Sequence, residues 1–246
     1  MNRRVKQMKN KEFVPTGFDK LDQKIGGGFY AGELIVVAGR PLMGKTTFVL
    51  TMAQSMCNEQ NLNIAYFSLE MECKQVWDRV GLINNMPKVK GNRTSFLVDD
   101  TPGISVEQLK QKCIERQKEQ NIDIVFIDYL QLMSRDDKCA SRIQELNYVA
   151  NGLKELAIKL NMPIVLVVQQ GRAAAPIRDF RPILSDLRES GSIAQIADTI
   201  IMLHRDKFYN QNSEKEGVME VYIEKQKHGE IGVVELGWSS DGPKVV

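Results

Sequence analysis

The sequence predicts a doubly wound α/β domain on a mostly parallel sheet, finished at one edge by a C-terminal β-hairpin. Three observations carry this expectation. Continuous apolar runs recur at 34–38, 64–69, 96–98, 124–127, 164–168 and 199–203. Stretches of helical periodicity separate them, and a glycine-rich turn ending in lysine and threonine follows the first run. Unbroken rather than alternating apolar character is what strands need when helices cover both faces of a sheet.

Composition narrows the class. With 43% apolar and 26% charged residues in 246, the chain has the make-up of a globular protein and can bury a full core without cross-links. Cys57, Cys73, Cys113 and Cys139 form no CxxC pair and only two histidines occur, which argues against zinc and for free thiols in a reducing cytosol. No apolar run reaches the roughly 18 residues of a membrane span, and the basic, polar start lacks the apolar stretch of a signal peptide. The expectation is a cytoplasmic protein with no membrane partner, consisting of a basic tail over 1–13 and one domain over 14–246. A net charge of +2 leaves any nucleic-acid binding to local loops or to several copies acting together.

Each element has its local reason. Residues 34–38 are the first buried strand, and 46–56 continue as a helix. Ser105 with Gln108 is a capping box that opens another helix. Ile143, Leu146, Val149, Ala150, Leu153, Leu156, Ala157 and Leu160 step by three and four, marking one inward helical face. Residues 172–182 hold two prolines and three arginines and predict a loop, as do the polar residues 209–217. Alternation over 218–227 and 232–238, around His228-Gly229-Glu230, predicts the edge hairpin.

The strongest chemical signal is Gly39-Arg40-Pro41-Leu42-Met43-Gly44-Lys45-Thr46, a G-x-x-x-x-G-K-[ST] loop between strand and helix, with Thr47 following it into the first helical turn. Its glycines let backbone N–H groups curl around phosphate oxygens, and the helix N-terminus adds roughly half a positive charge. Lys45 is placed to reach the β- and γ-phosphates, and the Thr46 hydroxyl to ligate Mg²⁺. Hydrolysis needs more: an acid that supports the metal and a group that orients water. Asp128 ends the run 124–127 and lies beside the loop if the two strands are neighbours. Glu70 ends the run 64–69 at the same sheet edge, in reach of water as a general base; a capping or surface glutamate fits the same position. Gln169 ends the run 164–168, where it can sense the γ-phosphate, although Gln170 stands beside it.

Taken in order, GRPLMGKT, SLEM, IDYLQLM, a strand ending in glutamine and Ser185-Asp186-Leu187-Arg188-Glu189-Ser190-Gly191-Ser192 closely resemble the C-terminal motor domain of DnaB-type replicative helicases. PTGFDKLD at 15–22 and the strand 223–227 fit the same pattern. The resemblance implies a RecA-like P-loop NTPase fold and a homo-hexameric ring that hydrolyses ATP with Mg²⁺ at subunit interfaces. It further implies movement along single-stranded DNA and duplex unwinding in DNA replication, with a helicase loader and a primase as partners of unknown identity. Site roles follow: Lys45 and Thr46 on phosphate and metal, Glu70 on water, Asp128 behind the metal, Gln169 coupling the γ-phosphate to DNA-contacting loops, and Arg79 packed on the nucleotide base. Arg188, Glu189 and Gly191 match a pore loop that follows the DNA backbone, contacts that carry no base sequence.

Two departures stand out. Where the family strand carries Lys-Gln-Arg for the neighbouring subunit's γ-phosphate, this chain has Lys225-Gln226-Lys227. The expected arginine finger is a lysine, a point charge in place of a planar fork, and a solvated edge-strand face would also account for both lysines. Some thirteen residues precede the match, which leaves no room for the family's N-terminal collar and linker helix, so a cut or stand-alone motor domain is expected. Two other functions stay open: a RecA- or oscillator-type ATPase without unwinding, and a weakly hydrolysing ATP-binding partner of a larger helicase.

Overall fold

The computed structural model describes residues 13–83, 95–133, 141–170, 180–190, 192–239 and 242–243, with the backbone alone at 82–83 and 188–190. The chain runs β1 (Phe13–Val14), α1 (Asp19–Lys24), β2 (Phe29–Tyr30), β3 (Leu34–Gly39), α2 (Lys45–Gln60), β4 (Ile64–Ser68) and α3 (Cys73–Ile83). It continues with β5 (Phe96–Asp99), α4 (Val106–Gln120), β6 (Ile124–Asp128), a 3₁₀ turn at Leu130–Leu132, α5 (Arg142–Leu160) and β7 (Ile164–Gln169). A second 3₁₀ segment (Leu184–Ser190), α6 (Ile193–Ile196), β8 (Thr199–His204), α7 (Asp206–Tyr209), β9 (Val218–Lys225), β10 (Gly232–Ser239) and β11 (Gly242–Pro243) complete it.

Among the described residues one sheet of nine strands has the order β11-β10-β9-β8-β3-β7-β6-β4-β5, and β1 and β2 form a separate small ribbon. The strands from β8 to β5 are parallel, while β9, β10 and β11 are antiparallel at one edge. The predicted doubly wound sheet and its edge hairpin are both present. The unbroken apolar runs have a direct cause. Along β3, Ile35 and Val37 pack with α1 and α2 on one face, and Leu34, Val36 and Ala38 pack with α4 and α5 on the other. Both faces are buried, so neither can be polar.

Helix α2 is buried at every position from Phe48 to Cys57, and it ends where Asn61 turns left-handed at φ 57°. The capping box at Ser105 is formed, with both reciprocal hydrogen bonds. On α5 the inward stripe holds at Leu146, Val149, Ala150, Leu153, Leu156 and Ala157, but Ile143 is exposed. The inward side of that first turn is taken by Glu145, which Arg142 pairs at 2.5 Å. Strand β9 stops at Lys225, two residues short of the expected end. Cys57, Cys73 and Cys113 are free thiols; Cys139 and most of the 172–182 loop lie outside the described residues.

Candidate active site

The phosphate-binding loop leaves the C-terminal end of β3 and turns twice through left-handed backbone, at Leu42 (φ 65°) and Gly44 (φ 89°). Gly44 is needed on two counts: its φ disfavours a side chain, and a Cβ there would lie 2.3 Å from the Trp238 ring. Gly44 also caps α2. No side chain closes that helix end and no acid sits in its first turn, so its leading N–H groups are open to an anion. Lys45 Nζ donates to the Arg40 carbonyl at 3.0 Å.

In front of this helix end lies a cleft of about 270 Å³, lined by Pro41, Leu42, Gly44, Lys45, Thr46, Thr47, Glu70, Arg79, Asp128, Tyr129 and Gln169. Most residues singled out in the sequence therefore meet in one place. Three of the loop residues face elsewhere. Gly39 ends β3, Met43 is buried in the core, and the Arg40 guanidinium lies over Phe180 and Tyr209 at 5.4 and 5.8 Å.

Asp128 arrives by a route different from the one the sequence suggests. Strands β3 and β6 are not neighbours, because β7 runs between them. Asp128 still lines the cleft because α2 crosses the sheet and touches β3, β4 and β6 in turn. The carboxylate is 4% exposed and accepts a 2.9 Å bond from the Tyr66 hydroxyl. Its other oxygen, Oδ1, makes no hydrogen bond of normal geometry. Burial pushes its pKa up against the lowering effects of Thr46, Tyr66 and Lys45. Burial likewise pulls the Lys45 ammonium down, opposed by Asp128 and Glu70. An orphaned carboxylate oxygen beside a threonine hydroxyl is an all-oxygen donor set, suited to a hard divalent cation that keeps several waters. Among the described residues no group of three His, Cys, Asp or Glu side chains could hold a metal alone.

Glu70 follows β4, which pairs with β6 in the register Ser68↔Asp128, and the Leu69 N–H donates to the Asp128 carbonyl at 2.7 Å. That pairing brings Glu70 and Asp128 to the same end of the sheet, where both line the cleft. Gln169, the glutamine expected at the site, and its neighbour Gln170 point to different places. Gln169 lies beside Gly39 in the β3–β7 register and lines the cleft. The Gln170 side chain is buried and donates to Asp186 at 2.6 Å. Gln131 fixes the Gln169 backbone from both sides: its amide nitrogen donates to the Gln169 carbonyl at 2.9 Å, and its oxygen accepts from the Gln169 N–H at 3.2 Å. The glutamine of IDYLQLM thus aligns the one at the end of β7.

Sequence reasoning missed four contributors. Tyr66 reads as one more apolar residue of a buried strand. Tyr129 stands in a motif that by itself gives it no role. Arg205 and Trp238 stack at 4.6 Å against the loop, with Arg205 donating to the Leu42 carbonyl at 3.4 Å; the residues lie 33 positions apart in the chain, so no spacing joins them.

Lys225 and Lys227 are not in the cleft. Lys225 pairs with Ile200 beside the start of β8, level with the first residues of β3 and therefore at the opposite end of the sheet. Arg188 and Glu189 have no described side chains, and Gly191 lies outside the described residues. No helix among the described residues is long and apolar enough to cross a membrane.

Comparison with known proteins agrees with this geometry. The family model of the DnaB-like helicase C-terminal domain matches residues 13–94 and 81–244. The replicative DNA helicase DnaB of Geobacillus stearothermophilus is 36% identical over 255 residues, which cover 95% of this chain and 56% of the relative. The replicative DNA helicase DnaC of Bacillus subtilis (strain 168) is 35% identical, with 95% and 56% covered. The chain thus spans a little over half the length of these relatives. An ATPase domain solved on its own superposes with a TM-score of 0.83 at 28% identity, covering 96% of this chain and 93% of that one. A DnaB-like replicative helicase, solved in a study of its interactions with primase, gives 0.85 at 29% identity, covering 96% and 64%.

Proposed function

The chain belongs to the DnaB-like helicase C-terminal domain family, and we propose on that premise that it is the ATP-driven motor domain, over 14–246, of a replicative DNA helicase. One observation carries the reading: the uncapped N-terminus of α2, Lys45, Asp128, Glu70 and Gln169 converge on one cleft. The leading amides of α2 and Lys45 hold the β- and γ-phosphates of ATP. The Thr46 hydroxyl and, through water, Asp128 would hold Mg²⁺, which would supply positive charge against the charge developing on the phosphates. Glu70 accepts a proton from the attacking water. Gln169 meets the γ-phosphate and transmits its loss along β7, with its backbone fixed by Gln131. The Arg205–Trp238 stack supports the loop at Leu42 and Gly44, and Arg79, which lines the cleft, packs on the nucleotide base as the resemblance implies.

Among the described residues the cations that line the cleft are Lys45 and Arg79, and the strand-end lysines sit at the far end of the sheet. In a homo-hexameric ring a neighbouring copy brings its Lys227 to the γ-phosphate, and Arg188, Glu189 and Gly191 follow single-stranded DNA. A primase and a loader are the partners such a motor serves. Lysine at 227 favours a second reading as well, an ATP-binding subunit that turns over slowly beside a larger helicase. The test is unwinding of a forked duplex with a 5′ tail, with ATP and Mg²⁺, at protein concentrations where rings form. Strand separation is expected. Rings that hydrolyse ATP on single-stranded DNA yet leave the fork intact contradict the helicase reading.

A further inference from the structure

Strand β4 carries a hydroxyl into the core. Tyr66 is 1% exposed and sits between Ala65 and Phe67, which are buried as well. Its ring packs against Phe96 on one side and Phe126 on the other, with centroids at 6.1 and 6.2 Å and planes inclined by 25° to each. The three rings belong to neighbouring strands, since β4 runs between β5 and β6. A side chain packed from both sides in this way has no room for a second rotamer.

Strand register then aims the hydroxyl. Tyr66 is paired with Phe126 in the β4–β6 ladder. Asp128 stands two residues on, so its side chain leaves the same face of β6 as Phe126. A long aromatic side chain reaches such a diagonal neighbour, and Tyr66 donates to Asp128 Oδ2 at 2.9 Å. On the loop side the Thr46 hydroxyl and the Lys45 ammonium act on the same carboxylate.

The carboxylate torsion is soft by itself. With Oδ2 held by a fixed donor, Oδ1, which has no hydrogen bond, is the oxygen left to accept one. The donor is also neutral. It orients the carboxylate without cancelling its charge, as a lysine or arginine at position 66 would. A pairing made only to satisfy the core would not leave a buried oxygen open, because that costs stability.

We propose that Tyr66 is a positioning residue for the metal: its hydroxyl turns Asp128 so that Oδ1 is presented to a water of the Mg²⁺, and this sets the preference of the site for Mg²⁺ over a less demanding cation. The inference rests on the reading of Asp128 as the acid behind the metal and adds what orients it. Mg²⁺ requires near-ideal octahedral geometry, whereas Ca²⁺ accepts irregular ligand sets. A carboxylate free to turn should therefore cost Mg²⁺ more than Ca²⁺.

The experiment compares the parent, Tyr66→Phe, Asp128→Asn and the double variant in the whole chain, without turnover. The free Mg²⁺ and Ca²⁺ concentrations that half-saturate the AMP-PNP complex are measured by calorimetry, together with the affinity for AMP-PNP in EDTA. Tyr66→Phe keeps the ring and removes the donor. It should raise the half-saturating Mg²⁺ about tenfold, in the range of partners that orient a metal ligand, raise that of Ca²⁺ no more than about threefold, and leave binding in EDTA within about twofold. In the double variant Tyr66→Phe should add nothing to the loss caused by Asp128→Asn. If Tyr66→Phe does not melt cooperatively, Tyr66→Met, which fills the space without a donor, takes its place in the same comparison. Unchanged Mg²⁺ affinity in Tyr66→Phe beside a loss in Asp128→Asn overturns the positioning role and leaves the metal reading intact. Equal losses for the two cations, weaker binding in EDTA, or additive losses in the double variant show a general disturbance of the site and overturn it too. Asp128→Asn with unaltered Mg²⁺ affinity refutes the underlying reading itself.

Discussion

Asp128→Asn offers a test in which stability and activity should move in opposite directions. Asp128 is 4% exposed, one oxygen is satisfied by Tyr66 at 2.9 Å, and the other has no normal hydrogen bond. A buried polar atom left unpaired costs about 1–3 kcal/mol, more when charged. Asparagine keeps the shape, keeps an oxygen for the Tyr66 hydroxyl and offers an amide to the Thr46 hydroxyl, while removing the desolvated charge. Against this stands the lost attraction to Lys45, itself partly screened. The net gain without nucleotide should be about 1 kcal/mol, which for a chain of this size raises Tm by about 2–4 °C. Burial has raised the Asp128 pKa, so the folded chain binds that proton more tightly than the unfolded one. The ionised carboxylate is therefore a liability above its ordinary range, and the liability fades as pH falls through the raised value. Thermal unfolding followed from about pH 7.5 to about pH 5 should show the advantage of the variant shrinking. Hydrolysis should drop about 10²-fold or more, because the metal loses its supporting charge. A variant less stable than the parent by about 1 kcal/mol at neutral pH, without nucleotide, would refute the claim that Asp128 is strained for function.

Gly44→Ala meets both a left-handed backbone and the Trp238 ring at 2.3 Å; it should cost about 1–3 kcal/mol and remove nucleotide binding, measured by calorimetry, and normal affinity would disprove the loop geometry. Asp99 is held down at about 2 by hydrogen bonds from Lys112, Thr101 and Arg116 that outweigh its burial. Its contribution is present above the ordinary carboxylate range and lost as pH falls through the folded value. Asp99→Asn should therefore cost about 1–2 kcal/mol at neutral pH, allowing for screening, and flatten the acid limb of the stability curve; an unchanged limb contradicts this. Lys227→Arg should raise kcat at saturating protein several-fold, since arginine fingers contribute about 10³–10⁵ where measured; an equal or lower rate argues against a phosphate role for this position.

The sheet was readable because strands such as 34–38 and 164–168 are buried on both faces and so carry apolar residues without a break. Local chemistry also showed itself, as in the Ser105 capping box and the P-loop. Strand order did not, because β7 enters between β3 and β6 through contacts distant in sequence, and no local pattern encodes that. The same limit explains the missed site residues. Tyr66 has the apolar environment of its strand apart from one hydroxyl, and the Arg205–Trp238 stack exists only once β8 and β10 are placed near the loop. Residue type pointed to Gln169 and Gln170 equally; strand alternation separates them, sending one to the cleft and the other to Asp186. Lys227 stands out in sequence only through the family resemblance, and the structure adds the partners of the two strand-end lysines, carbonyls for Lys225 and a carboxylate for Lys227.

The central claim is that ATP held around Lys45 is cut only when a second copy supplies Lys227. Its most direct test is hydrolysis by a mixture of Glu70→Ala and Lys227→Ala chains, each inactive alone, alongside the rate of the parent as a function of its own concentration. Mixed interfaces join an intact Glu70 to an intact Lys227, so the mixture should regain activity, and the parental rate should climb more steeply than linearly with protein. A mixture as inactive as its components, together with a parental rate strictly proportional to concentration, would show that a single copy performs the reaction and that the account is wrong.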